Sequence, residues 1–162
     1  MATFPDMSSL VFVGIQRRGT QLAARLARLV EERTGHAVPL GVLDITFYRD
    51  DLSMAAHQPI VHSTAIPCNL DDRDVLLFDD VIHTGRTIRA ALDALMDFGR
   101  PRRVKLCVLV DRGQRELPIQ PDFCGWHVET AADETISVSV KELDGADAIV
   151  REERPPSPQD QT

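Results

Sequence analysis

Apolar residues fall along this chain in two rhythms. Leu10-Val11-Phe12-Val13-Gly14-Ile15 is an unbroken apolar run, the pattern of a strand covered on both faces. A polar turn, Gln16 to Gly19, follows it. Leu22, Leu26, Leu29, Val30 and Arg33 then recur at helical spacing until Gly35, a residue suited to the turn just past a helix end. Val38 to Phe47 reads as a second strand, with Pro39 near its start, where proline is tolerated. Tyr48 to Ser63 holds no period, mixes charges and contains Pro59, so it is expected to be a long functional loop. Val61 to Pro67 is expected as a short strand, and Val75 to Phe78 is a second continuous apolar run. Ile88, Ala91, Leu92, Leu95 and Phe98 mark a helix that stops at Gly99, and Val104 to Val110 is a third apolar run. Phe123 to Val128, Ile136 to Val140 and Ala148 to Val150 are expected as strands flanking the main sheet.

Strands alternating with helices predict an α/β fold, with right-handed crossovers and a mainly parallel sheet. The 162 residues fit one domain, expected over 1–153, and the proline-rich tail from Arg154 to Thr162 is expected to be disordered. A hydrophobic content of 43% suits a globular core. No run approaches the roughly 18 apolar residues of a membrane helix, and the first residues carry no signal-peptide pattern. Cys68, Cys107 and Cys124 lack metal-ligand spacing and read as reduced, mostly buried thiols of a cytoplasmic protein. A net charge of −7 argues against nucleic-acid binding driven by bulk charge. The charge is uneven, however: Arg17 to His36 is rich in arginine, whereas Asp133 to Glu153 is acidic.

The chemistry concentrates in Val75-Leu76-Leu77-Phe78-Asp79-Asp80-Val81-Ile82-His83-Thr84-Gly85-Arg86-Thr87. An apolar strand ends in adjacent carboxylates, and a loop of small residues then opens a helix. Ligands bind at such strand ends in open α/β sheets. Backbone N–H groups from His83 to Thr87 can converge at the helix N-terminus, a natural phosphate site. Gly85 lets the backbone turn close to the ligand, and the hydroxyls of Thr84 and Thr87 add donors. The carboxylates of Asp79 and Asp80 suit the hydroxyls of a ribose. No lysine stands where a Walker loop needs one.

This segment resembles the phosphoribosyl pyrophosphate (PRPP) motif of type I phosphoribosyltransferases. Asp44-Ile45-Thr46-Phe47-Tyr48-Arg49-Asp50-Asp51-Leu52, Gly99 to Arg103 and Val108 to Ile119 narrow the resemblance to the PyrR family of pyrimidine operon attenuation regulators and uracil phosphoribosyltransferases. The resemblance implies a type I phosphoribosyltransferase fold, a Rossmann-like core with flanking helices and a small hood. It implies conversion of uracil and PRPP to UMP and diphosphate, with Mg²⁺ carried by the substrate and shared with Asp79 and Asp80. By position, Arg17, Arg18 and Gly19 form the diphosphate turn, with Arg18 as the charge partner. Tyr48, Arg49, Asp50 and Asp51 begin a closing lid. Val110, Asp111, Arg112, Phe123 and Cys124 are expected to face the base. The resemblance also implies a homodimer or tetramer.

The chain departs from the family pattern in three places. His83 stands where tyrosine is usual. It either accepts a proton from the base, as an imidazole can, or matters only through its backbone N–H. Arg17 replaces a threonine, and either strengthens anion binding or sits in solvent. Elements of RNA binding are reduced. Only about nine residues precede Leu10, Gln114 replaces a histidine, and Glu129-Thr130-Ala131-Ala132-Asp133-Glu134 replaces a segment carrying a cation. RNA binding is therefore expected to be weak. Two alternatives to a uracil transferase stay open: a UMP- or PRPP-sensing RNA-binding regulator with little catalysis, and a transferase for another nucleobase.

Overall fold

The structure is a computed structural model that describes residues 4, 6–48, 63–131 and 133–153. The continuous apolar runs become the centre of a five-stranded parallel sheet in the order β2-β1-β3-β4-β5. Its strands are β1 (Leu10–Ile15), β2 (Leu40–Leu43), β3 (Asp74–Ile82), β4 (Arg103–Asp111) and β5 (Phe123–His127). Helix α1 (Arg18–Thr34) links β1 to β2, and α2 (Arg86–Leu95) links β3 to β4.

The runs are continuous because each face of the sheet has its own core. Val11, Val13, Val75 and Leu77 cluster with Ile88, Ala91 and Leu95 of α2. The alternate residues Leu10, Phe12, Leu76 and Phe78 cluster with Ala23 of α1. Each such buried side chain contributes about 1.5–3 kcal/mol, so the central strands are fixed in register. The fold class expected from the sequence is the one observed.

Several elements differ in detail from the sequence-based expectation. The second strand is shorter than Val38 to Phe47. Asp44 Oδ1 accepts the N–H and the hydroxyl of Thr46 at 2.8 and 2.5 Å, closing a turn that ends β2 at Leu43. Tyr48 is anchored, its hydroxyl donating to Asp97, so it does not belong to a free lid. The other expected lid residues, Arg49, Asp50 and Asp51, and the tail 154–162 lie outside the described residues. Of the short strand expected over Val61 to Pro67, Ala65 bridges Val42 in antiparallel sense, and residues 61 and 62 lie outside the described residues. The three cysteines are free and half-buried, not mostly buried. Burial pushes the Cys107 thiol up to about 11.

The last strands divide. β5 joins the sheet as an edge, whereas β6 (Glu134–Ser139) and β7 (Ala148–Glu153) form an antiparallel hairpin of their own around the short helix α3 (Lys141–Asp144). This hairpin is the hood. Ile136, Val138 and Val140 pack on Val110 at the end of β4. Ion pairs fasten the hood to α1: Arg18 to Asp144 at 2.9 Å, and Arg25 to Glu142 and Asp147, each at 2.6 Å. No described helix is long and apolar enough to cross a membrane.

The first residue of β3 gives a pH signature. Asp74 is buried and ion-paired with Arg102 and Arg103. The hydrogen bond from Arg102 is the main influence holding its carboxyl below the usual carboxylate value. A depressed folded pKa gives stability that is present above the unfolded value of about 3.9 and lost as pH falls through the folded one. Asp74→Asn is therefore expected to lower the melting temperature at neutral pH, with the deficit closing below pH ~4. Thermal melts across pH check this.

Candidate active site

The site forms where three parallel strands end together. Phe78 lies level with Gly14 of β1, and Asp79 with Val108 of β4. Asp79 and Asp80 thus lie just past the level where β1 stops pairing with β3, while β3 itself runs on beside β4 to Ile82, beyond the end expected at the carboxylates, before α2 begins at Arg86. Asp79 is only 7% exposed, and its Oδ1 accepts the Asp80 N–H at 3.0 Å. Asp80 Oδ1 accepts the Val81 N–H at 2.9 Å. Burial, with the adjacent Asp80 carboxylate, holds the Asp79 carboxyl well above the usual range.

The loop that follows turns at Gly85, where φ is +92°, a conformation that strongly favours glycine. Thr84 O accepts the N–H groups of Glu116 and Leu117 at 2.9 and 3.1 Å, so the 113–119 segment folds against the loop. The first N–H groups of α2 have no partners within the helix and carry its positive dipole end. Across from them lies the turn between β1 and α1, where the Gln16–Arg17 peptide is cis. Gly19 brings α1 against β3: a Cβ there would sit 2.4 Å from Phe78 O and 3.2 Å from Asp79 Cα.

Gln16, Arg17, Asp44, Thr46, Asp79, Asp80 and Thr87 line one cleft of about 340 Å³. The structure therefore brings Arg17 together with the carboxylate pair and the phosphate-type loop. Asp44 was not among the expected site residues. Its one local signal is its place just past the end of an apolar strand.

Other expected residues are placed differently. Arg18 has both guanidinium contacts on Asp144, at 3.1 and 2.9 Å, so the arginine lining the cleft is Arg17. Arg86 pairs with Glu116 at 2.6 Å. Of the residues expected to face a base, Val110 is fully buried beneath the hood. Arg112 is also buried, donating to Thr130 Oγ1, Thr135 Oγ1 and Glu134 O at 3.2, 3.1 and 2.6 Å; it clamps the hood. Phe123 begins β5, level with Cys107 and 6.5 Å from the ring of Phe4, whereas Cys124 is level with Val108 and so with Asp79. Both line a cavity of about 320 Å³ on the α1 side of the sheet, which reaches Asp79. The carboxyl end of β5 presents Trp126 and His127 instead, with His127 Nδ1 3.6 Å from Asp111 Oδ2.

Asp111 is the expected base-side residue that stays at the site's edge. It accepts from Arg115 at 2.7 Å and from the Gly113 N–H at 2.9 Å. Burial pushes its carboxyl up, but these donors outweigh it and leave it below the usual value. Arg115 also donates to His83 O at 2.8 Å, joining the two loops.

The sequence profile of the phosphoribosyl transferase domain matches residues 5–139. The bifunctional protein PyrR of Pelotomaculum thermopropionicum is 54% identical over 142 residues, covering 88% of this chain and 78% of the relative. That of Thermus thermophilus is 54% identical over 145 residues, covering 90% and 80%. The chain belongs to the PyrR family of phosphoribosyltransferases. Solved structures agree on the fold. Hypoxanthine phosphoribosyltransferase from Trypanosoma cruzi superposes with a TM-score of 0.59 at 20% identity, over 75% of this chain and 64% of that one. A purine phosphoribosyltransferase from Pyrococcus horikoshii gives 0.55 at 24% identity, over 73% and 70%. Two of the departures from the PyrR pattern, His83 and Gln114, are in contact: His83 Nε2 lies 3.0 Å from Gln114 Oε1.

Proposed function

We propose that this chain transfers the phosphoribosyl group of PRPP to uracil, releasing diphosphate and forming UMP. The observation that carries the reading is the single cleft shared by the Asp79–Asp80 pair, Thr87 at the head of α2 and the Gln16–Arg17 turn. Its parts match the three parts of PRPP. The loop from His83 to Thr87 and the α2 N-terminus receive the 5-phosphate. Asp79 and Asp80 hold the ribose hydroxyls. Arg17 faces the diphosphate.

The bond from ribose C1 to diphosphate lengthens as the base nitrogen approaches, so positive charge develops on the sugar. Carboxylates fixed beside that sugar stabilise the charge, and the cleft holds the partners in line. Asp79, Asp80 and the nearby Asp44 are all oxygen donors, which suits a hard divalent cation shared with substrate phosphates. Mg²⁺ bound in that way would neutralise the leaving diphosphate. The base lies on the side of the ribose where His83 and the Asp111–Arg115 loop, joined at 3.0 and 2.8 Å, form one wall. Reduced thiols and a soluble phosphorylated substrate fit a cytoplasmic enzyme, and the family fits a homodimer or tetramer.

The test is consumption of uracil, hypoxanthine, guanine and orotate with PRPP and Mg²⁺. Preferential conversion of uracil is expected; conversion of a purine alone would overturn the assignment. Arg17 and Arg18 add a prediction. Arg18 is engaged by Asp144, and Arg17 is the arginine in the cleft, so Arg17→Ala should raise the KM for PRPP clearly more than Arg18→Ala does, as steady-state kinetics would show.

A regulatory role is the second reading, favoured by the bifunctional relatives. Here Glu134 is neutralised by Arg151 of β7 at 2.5 Å, so the 129–134 segment is less anionic than its sequence implies. It still offers no cation of its own to an RNA phosphate. Binding of pyrimidine-operon leader RNA is expected to be weak, with a shallow salt dependence. Tight, UMP-enhanced binding in a titration at several salt concentrations would restore the regulator.

A further inference from the structure

His83 and Gln114 form a relay whose hydrogen-bond polarity is fixed from one end. Gln114 Nε2 lies 2.7 Å from Thr130 O. A backbone carbonyl can only accept, so the amide end facing it must be the NH₂ group. The opposite end, Oε1, faces His83 Nε2 at 3.0 Å and can only accept in turn. His83 Nε2 must then carry the proton, and in the neutral ring Nδ1 is left as a bare acceptor.

The backbone is bent to make this contact. Gln114 has φ of +58° directly after Gly113 at +73°, a left-handed pair in which a glutamine is uncommon. Arg115 closes the arrangement by donating to His83 O at 2.8 Å and Asp111 at 2.7 Å. The ring is thus held from its side chain and from its backbone by consecutive residues of one loop.

We propose that Gln114 is a positioning residue that locks His83 in the Nε2–H form, so that Nδ1 takes the proton shed by the attacking base nitrogen. The inference rests on the transferase reading above. In the step, the N–H electron pair of the base forms the new bond to ribose C1. The bond from C1 to diphosphate breaks, with its pair leaving on diphosphate. The proton passes to Nδ1, and the resulting imidazolium is steadied by Nε2–H donating to Gln114 Oε1. Solvent removes the proton before the next turnover. The charged groups of the loops joined at this ring are paired with one another, Arg115 with Asp111 at 2.7 Å and Arg86 of α2 with Glu116 of the loop after β4 at 2.6 Å. Asp79 and Asp80 precede the ring on β3. Gln114 is the neutral partner that selects the tautomer.

The experiment is ¹⁵N NMR of the histidine side chains, with His83→Asn assigning the resonance. The native protein is expected to show Nε2 protonated and Nδ1 bare, and Gln114→Ala to show averaged tautomers. A native Nδ1–H form, or an unchanged tautomer in Gln114→Ala, overturns the relay without touching PRPP binding. Kinetically, Gln114→Ala should lower kcat about tenfold while the affinity for PRPP stays native. Gln114→Glu places an anion against the ring and should move the acid limb of the kcat profile up by about one pH unit. An unmoved profile would reduce Gln114 to a structural role. Loss of PRPP binding by the native protein would instead overturn the transferase reading, while the NMR result would still stand.

Discussion

Asp79→Asn is expected to make the ligand-free protein more stable and almost inactive. Burial holds the Asp79 carboxyl well above its usual value, and the Asp80 carboxylate beside it acts in the same direction. A raised folded pKa means that the stability gained from the protonated form is present below the unfolded value. It is lost as pH rises through the folded one. At neutral pH the ionised group therefore weighs against folding. An asparagine removes that charge and can donate its amide hydrogen to Asp80. Each kcal/mol regained raises the melting temperature of a chain this size by about 2–4 °C. The gain should shrink in acid, where Asp79 is itself protonated. The cost falls on catalysis, because the charge facing the ribose is gone. By analogy with the loss of one electrostatic stabiliser, kcat/KM should fall about 10²–10³-fold. Melts across pH and steady-state rates on the same variant check both halves.

Gly19→Ala is expected to damage both fold and site. The added carbon would meet the Phe78 carbonyl at 2.4 Å. Neither β3 nor α1 can yield there without moving Asp79 or the Gln16–Arg17 turn. Overpacking of this kind against backbone costs about 3 kcal/mol or more, equivalent to a fall of about 6–12 °C in melting temperature. PRPP binding should go with it. Gly35→Ala is the matched control. Nothing lies within 4 Å of a Cβ at Gly35, and φ is +71°. It should cost only the ~1 kcal/mol of a left-handed turn and leave binding intact.

The parts of this molecule legible in the sequence are those whose cause is local. β1 and β3 were visible because both of their faces are buried, which makes the apolar run continuous. The PRPP-type loop was visible because its carboxylates, turn glycine and helix start are consecutive along the chain. The strand expected over Val38 to Phe47 is longer than β2 because the Asp44–Thr46 turn that ends β2 depends on a side-chain hydrogen bond, not on hydropathy. The hood strands looked like additions to the sheet because a short apolar alternation does not state its partner.

Roles that depend on distant contacts were misplaced for the same reason. Arg17 and Arg18 are neighbours of like charge, and only Asp144, far along the chain, separates their tasks. Phe123 and Cys124 share a cavity with Asp79 on the α1 side of the sheet, and parallel pairing puts Trp126 level with Val110 and His127 level with Asp111 at the other end of that strand. Asp44 reaches the cleft because β2 ends beside β1, a neighbourhood fixed by topology. The pairing of His83 with Gln114 was present only as two separate departures from a family pattern.

The central claim is that the carboxyl edge of β3 binds PRPP through adjacent carboxylates. Isothermal titration of PRPP with Mg²⁺ tests it most directly, using the native protein and Asp80→Asn side by side. Saturable, Mg²⁺-dependent binding to the native protein, with one site per chain and loss of most of the affinity in Asp80→Asn, is the predicted result. No binding to the native protein, or equal binding by both, would contradict it.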